Sequence, residues 1–206
     1  MKKPLIFGAA AAVAAVVCLC LVLLLPHLQG AGSPGAASSI PAAFVLTDQD
    51  GRTVKEKDLL AKPTVVFFGY TFCPDACPTT LARLTVLMKA LGPEAERLNV
   101  AFITVDPARD TPAQLKKYLS AFDPRIQGLT GSDAAVAKAA KEYSVFFQKA
   151  PLPGGGYSMD HSTAIYLVDR KRETFEILAP DAPQDEQLQA LKRLVGVQMA
   201  QNGREA

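Results

Sequence analysis

The chain has 206 residues, of which 49% are hydrophobic, and this suits one globular domain with an appended segment. Its 22 lysines and arginines nearly balance its 20 aspartates and glutamates, which gives a net charge of +2. Nucleic-acid-binding proteins usually carry a strongly basic face, so this balance argues against nucleic acid as the main partner.

The N-terminal segment is predicted to cross a membrane. Residues 5–25 are all apolar or small, and about 20 such residues span a bilayer as a helix. Lys2 and Lys3 precede this run, which predicts a cytoplasmic N-terminus and an exported domain. Small residues further along leave cleavage as a signal peptide open. We divide the chain into a cytoplasmic N-terminus (1–4), a transmembrane anchor (5–25), a flexible tether (26–41), a domain (42–201) and a tail (202–206).

The domain is predicted to alternate strands and helices. Apolar runs predict strands at 44–46, 64–68, 100–105, 163–168 and 174–178. Helices are predicted at 79–91, from 111 onward, at 132–143 and at 183–199. Thr111 is expected to cap its helix, with Gln114 completing a capping box. A strand, a cysteine-bearing loop, a helix and a strand form a right-handed βαβ unit, so we predict an α/β fold, a three-layer sandwich of the thioredoxin kind.

Cys73 and Cys77 are the domain's only cysteines, and both lie in a predicted loop at 69–78 between a buried strand and a helix. The N–H groups and dipole at a helix N-terminus favour the thiolate, which is the form that binds metals and attacks disulfides. A bridge across so short a loop adds little stability through chain entropy. The pair therefore points to chemistry, and the spacing leaves open whether the sulfurs bind one metal ion or form a disulfide.

His161 is the domain's only histidine, and it directly precedes the predicted strand at 163–168. In a thioredoxin-like sheet this position lies beside the cysteine loop, so we predict that His161 binds the same metal ion. Two thiolates and one imidazole favour Cu(I) and also suit Cu(II), whereas structural zinc sites use four ligands. Residues 150–157, with two prolines and three glycines, predict a mobile loop that lets His161 approach or withdraw.

Three aspartates are further candidates near these segments. Asp106 and Asp110 follow the strand at 100–105 at the same end of the sheet as the cysteines, and Asp160 precedes His161. We expect Asp106 and Asp160 to orient His161 or to face a partner protein. For Asp110 we expect a capping role in a solvated loop.

Three stretches of the domain together resemble the Sco/SenC family. They are Cys73-Pro-Asp-Ala-Cys77-Pro, Val105-Asp106-Pro107-Ala-Arg109-Asp110-Thr111-Pro112 and Asp160-His161-Ser162. The resemblance implies a thioredoxin fold and one copper ion bound by the residues at 73, 77 and 161. It also implies a role in building the binuclear copper site of cytochrome c oxidase subunit II.

Two activities fit this resemblance. A metallochaperone would receive copper from a periplasmic donor protein and deliver it to subunit II. A thiol–disulfide oxidoreductase would use Cys73 and Cys77 as catalytic residues to reduce the target's cysteines. Because no mitochondrial presequence is recognisable, we expect a single-pass protein of the bacterial inner membrane with its domain in the periplasm.

Overall fold

The computed structural model describes residues 44–169 and 174–202. The predicted anchor at 5–25 and tether at 26–41 lie outside these residues. Within the described ranges, no helix combines the length and apolarity that crossing a bilayer requires.

Strands and helices alternate along the described chain, as predicted. The strands are β1 (Val45–Asp48), β2 (Thr53–Lys55), β3 (Thr64–Gly69), β4 (Asn99–Thr104), β5 (Ile126–Thr130), β6 (Phe147–Pro151), β7 (Tyr157–His161), β8 (Ile165–Val168) and β9 (Thr174–Leu178). The helices are α1 (Glu56–Leu59), α2 (Ala76–Leu91), α3 (Pro112–Leu119), α4 (Asp133–Glu142) and α5 (Gln184–Asn202), with a 3-10 helix at Gly92–Arg97.

Seven of these strands form one mixed sheet in the order β2-β1-β5-β4-β3-β8-β9. Strands β3, β4 and β5 run parallel, and β8 pairs antiparallel with β3. A parallel pair needs a crossover connection, which α2 supplies between β3 and β4. Strands β6 and β7 pair with each other in a separate two-stranded sheet.

Helices cover both faces of the large sheet. Phe67 and Phe102 are register partners on one face, where Phe102 contacts Tyr118 of α3. Side chains alternate along a strand, so Phe68 projects to the other face, where it contacts Tyr143 at the end of α4. All three phenylalanines are fully buried. The predicted α/β sandwich is therefore confirmed.

Several segments of the described chain differ from the predictions, and strand β2 and the short helix α1 are among those not predicted. Strand β5 is not among the predicted elements, and residues 150–157 are not all loop, because their ends belong to β6 and β7. The turn of this hairpin holds three consecutive glycines with φ of 91°, 103° and 80°, at 154, 155 and 156. Only glycine adopts such angles readily, so the three glycines determine where the hairpin turns.

Candidate metal centre

The cysteine loop runs directly into the first turn of α2. The helix begins at Ala76, three residues earlier than predicted, so Cys77 lies inside the helix and Cys73 before it. Asp75 occupies the N-cap position but makes no capping hydrogen bond with its side chain. Instead, the backbone N–H of Cys77 donates to Cys73 Sγ at 3.4 Å. The Cys73 sulfur therefore accepts from one of the free N–H groups at the helix start.

The two sulfurs have different protonation states. A hydrogen bond from the Cys77 side chain, with further ones from the backbone N–H groups at the start of α2, lowers the pKa of Cys73 to about 3. The same sulfur–sulfur hydrogen bond, together with burial, raises the pKa of the fully buried Cys77. The reduced, metal-free site thus holds a thiolate at Cys73 and a thiol at Cys77. A metal that binds both sulfurs must displace the proton of Cys77.

Cys73 is expected to react with iodoacetamide at an almost constant rate between pH 5 and pH 8. Its pKa of about 3 keeps it a thiolate throughout this range, whereas an ordinary cysteine has a pKa of about 8.5. Peptide mapping by mass spectrometry of the reduced, metal-free protein measures the rate, with glutathione in the same tube as an ordinary thiol. A Cys73 rate that climbs in parallel with that of glutathione would contradict the assigned thiolate.

His161 ends strand β7 with its ring directed at the sulfurs. Nε2 lies 3.6 Å from Cys77 Sγ, and Nδ1 lies 2.8 Å from the Ser162 carbonyl oxygen. A carbonyl only accepts hydrogen bonds, so Nδ1 carries the proton and Nε2 keeps a free lone pair. The buried Tyr70 ring packs edge-on against the imidazole at 5.7 Å between centroids. The ring is therefore oriented to offer Nε2 to a metal.

The ligand atoms of Cys73, Cys77 and His161 all lie within 4.8 Å of one another. Metal–sulfur and metal–nitrogen bonds of about 2.3 and 2.0 Å allow donors on one ion to be roughly 3 to 4.5 Å apart. The residues therefore fit a metal ion with only small shifts, and the two soft sulfurs suit copper. In the described part of the chain, this is the one cluster of His, Cys, Asp and Glu so placed. The structure brings the predicted ligands together, and their binding of metal stays a prediction.

The candidate aspartates near His161 have different surroundings. Asp106 is buried, forms an ion pair with Arg109 and accepts from the Tyr157 hydroxyl at 2.9 Å. These contacts are to Arg109 and to Tyr157 at the beginning of β7, and neither is to His161. The His161 ring is oriented instead by the backbone carbonyl of Ser162. Asp160 is exposed on β7 and stays a predicted partner-facing residue.

Asp110 is buried, contrary to the prediction of a solvated capping position. Its carboxylate accepts from the backbone N–H and hydroxyl of Thr71 at 3.0 and 2.6 Å and from the Thr104 hydroxyl at 2.6 Å. Burial raises the pKa of Asp110, although these hydrogen bonds oppose the shift. Thr111 caps α3 as predicted, but the Gln114 side chain donates to Thr71 rather than completing a capping box. Through Asp110, these hydrogen bonds connect Thr71 of the cysteine loop to Thr104 at the end of β4.

Gly69, the last residue of β3, is a site residue that the sequence analysis missed. A Cβ atom at this position would lie 2.8 Å from Cys77 Sγ and 2.6 Å from Cε2 of the buried Phe102. Only glycine leaves room for both groups. The available signal was a glycine within a strand, which often marks a close approach of neighbouring groups.

The fold and the site define a thioredoxin-like protein with a candidate Cys–Cys–His metal centre. The family model described as SCO1/SenC matches residues 32–196. The chain belongs to the SCO1/SenC family, which confirms the resemblance found in the sequence.

Relatives of this chain include proteins from mitochondria and bacteria. Protein SCO1 of Saccharomyces cerevisiae mitochondria is 41% identical over 153 residues, which are 73% of this chain and 50% of that protein. This chain therefore spans about half the length of SCO1. Protein SenC of Rhodobacter capsulatus is 33% identical over 190 residues, 88% of this chain and 85% of SenC. The copper-bound structure of Bradyrhizobium japonicum ScoI matches with a TM-score of 0.70 at 45% identity, covering 74% of this chain and 98% of that one.

Proposed function

We propose that this protein binds one copper ion through Cys73, Cys77 and His161 and delivers it to the binuclear copper site of cytochrome c oxidase subunit II. The observation that carries the proposal is the convergence of two sulfurs and one imidazole nitrogen within 4.8 Å. Family membership supports it, because the Sco family is one of cytochrome c oxidase assembly proteins and ScoI has been solved with copper bound.

Copper is the cargo of this site rather than a permanent part of it. Cys73 is partly exposed and already a thiolate, so it is the first ligand that an incoming copper ion meets. Cys77 then binds from the buried side and loses its proton, and His161 Nε2 completes the site. Because Cys73 and His161 are only partly buried, a partner's thiols or imidazoles can replace them one at a time.

The location of the domain is part of the proposal. The apolar run at 5–25 anchors the protein in a bacterial inner membrane, and Lys2 and Lys3 hold the N-terminus in the cytoplasm. The domain then lies in the periplasm, where a copper donor protein loads it and subunit II receives the ion. Asp160, exposed next to a ligand, is available to contact either partner.

The second candidate function is that of a thiol–disulfide reductase. The lowered pKa of Cys73 and the raised pKa of Cys77 favour it. The Cys73 thiolate would attack a disulfide of the target, forming a mixed disulfide and releasing one target thiol. The buried Cys77, once deprotonated, would then attack Cys73 Sγ. The target leaves as a dithiol, reduced by two electrons, and a Cys73–Cys77 disulfide remains. This chemistry needs no metal and does not use His161 as a reacting group.

Substitution of His161 by alanine separates these two functions. We expect copper binding to be lost, with an affinity for Cu(I) lower by more than about a hundredfold, because one of three ligands is removed and changes to residues that only orient a ligand already cost about tenfold to a hundredfold. Thiol–disulfide exchange should change little, since the imidazole is not a reacting atom. An anaerobic competition titration with a chromophoric Cu(I) chelator measures affinity on the full-length protein in detergent, and oxidase assembly is measured in cells.

The matched control is His27→Ala, which removes the chain's other histidine. Loss of both copper affinity and oxidase assembly in His161→Ala, but not in His27→Ala, would support copper delivery. Normal oxidase assembly in a His161→Ala protein that has lost copper would instead favour the reductase.

A further inference from the structure

The third candidate ligand lies on a hairpin that is not paired with the large sheet. Strands β6 and β7 hydrogen-bond to each other, whereas the two cysteines follow β3 in the middle of the seven-stranded sheet. The pairing of β8 with β3 brings the end of β7 near the cysteine loop, because His161 lies only a few residues before Ile165. It does not orient the hairpin, so side-chain contacts between the hairpin and the rest of the domain must set the remaining geometry.

Arg109, in the loop between β4 and α3, contacts both the hairpin and the cysteine loop. Its guanidinium carbon lies 3.8 Å from the ring centroid of Tyr157, the first residue of β7, and Nη1 donates to the Tyr157 carbonyl at 3.0 Å. The same carbon lies 4.8 Å from the Phe72 ring and 5.7 Å from the Tyr70 ring, both in the cysteine loop. Tyr70 in turn packs against the His161 imidazole.

Asp106 holds this arginine in place. It is 1% exposed, forms an ion pair with Arg109 Nε and accepts from the Tyr157 hydroxyl at 2.9 Å. The Arg109 side chain is itself only 25% exposed. Its charge is therefore matched inside the protein, which favours an internal role for Arg109 over contact with an acidic partner.

We infer that Arg109 is a positioning residue for the metal centre. It holds the beginning of β7 against the cysteine loop and thereby keeps His161 Nε2 within binding distance of the two sulfurs. The inference rests on the proposed copper site. A lysine would keep the charge beside Asp106, but it lacks the planar group that stacks on the aromatic rings while Nε donates to Asp106 and Nη1 to Tyr157.

The first test uses the reduced, metal-free, full-length protein in detergent. Hydrogen–deuterium exchange of residues 157–161 is compared in the wild type, Arg109→Lys, Arg109→Gln and Arg125→Gln. Arg125 is the matched control, because it also pairs with acidic residues, Asp123 and Glu96, but precedes β5 at the opposite end of the sheet from the cysteines. We expect exchange at 157–161 to be several-fold faster in both Arg109 variants and unchanged in Arg125→Gln.

The second test measures the site itself. Competition titration should show about a tenfold weaker Cu(I) affinity in Arg109→Gln, a smaller loss in Arg109→Lys and none in Arg125→Gln. The electron paramagnetic resonance spectrum of the Cu(II) form should lose part of its imidazole nitrogen coupling in Arg109→Gln. Should Arg109→Gln fail to fold, Arg109→Lys keeps the charge beside Asp106 and answers the same question.

Two results would overturn the inference. One is unchanged exchange at 157–161 in the Arg109 variants, and the other is faster exchange with wild-type copper affinity and nitrogen coupling. A wild-type protein that binds no copper would instead refute the proposed function. The exchange experiment contains no metal, so it would still decide whether Arg109 holds the hairpin.

Discussion

Substitution of Cys77 by serine is expected to abolish copper binding, with a loss of at least about a thousandfold in affinity, or roughly 4 kcal/mol. The Cys77 sulfur is fully buried and faces His161 Nε2 at 3.6 Å, so it forms the inner wall of the site. Serine offers a hard hydroxyl oxygen, which is a poor ligand for a soft ion such as Cu(I). Only Cys73 and His161 would remain. The anaerobic chelator competition measures the loss on the full-length protein.

The same variant should leave the Cys73 thiolate in place. A serine hydroxyl can still donate to the Cys73 sulfur, and the backbone N–H of residue 77 still lies at the helix start. Alkylation of Cys73 at pH 5 should therefore persist in Cys77→Ser while copper is lost, whereas Cys73→Ser should lose both. One tightly bound copper ion in Cys77→Ser would contradict the three-ligand site.

The convergence of the three candidate ligands could be predicted because the order of elements along the chain places them. Cys73 and Cys77 lie where the buried strand β3 passes into a helix, and His161 lies just before β8, which pairs with β3. In a thioredoxin-like sheet these positions meet, whatever the detailed packing. The polar residues of β7, in contrast, carry no apolar run, so the sequence alone does not predict a strand there.

The surroundings of the ligands could not be predicted, because they depend on residues far apart in the chain. Asp110 is buried through hydrogen bonds to Thr71, 39 positions away. Arg109 donates to Tyr157, 48 positions away. An aspartate beside a helix start usually acts as a cap in solvent, so the local pattern around Asp110 favoured the wrong interpretation. Whether such an aspartate is buried or solvated depends on tertiary packing, which cannot be inferred from the local pattern of a single sequence.

Substitution of Gly69 by alanine is expected to disturb both the core and the site. The added Cβ would lie 2.6 Å from Phe102 Cε2 and 2.8 Å from Cys77 Sγ, and both side chains are fully buried. One of them must move. Overpacking of this kind lowers the free energy of unfolding by about 3 kcal/mol where neither neighbour can turn away. Displacement of the Cys77 sulfur should also weaken copper binding by about tenfold or more.

Gly128→Ala is the matched control for this effect. Its Cβ would lie 2.5 Å from Leu119 Cδ1, so it also overpacks the core, but its close contacts are with Leu119 and Leu115 rather than with a ligand. Chemical denaturation should show both variants to be destabilised, Gly128→Ala less so because the end of a leucine side chain can turn away. Copper affinity, measured in buffer where both remain folded, should fall only in Gly69→Ala. Equal affinities in the two variants would mean that the sulfur keeps its place and that Phe102 absorbs the strain, so the role of Gly69 would be packing alone.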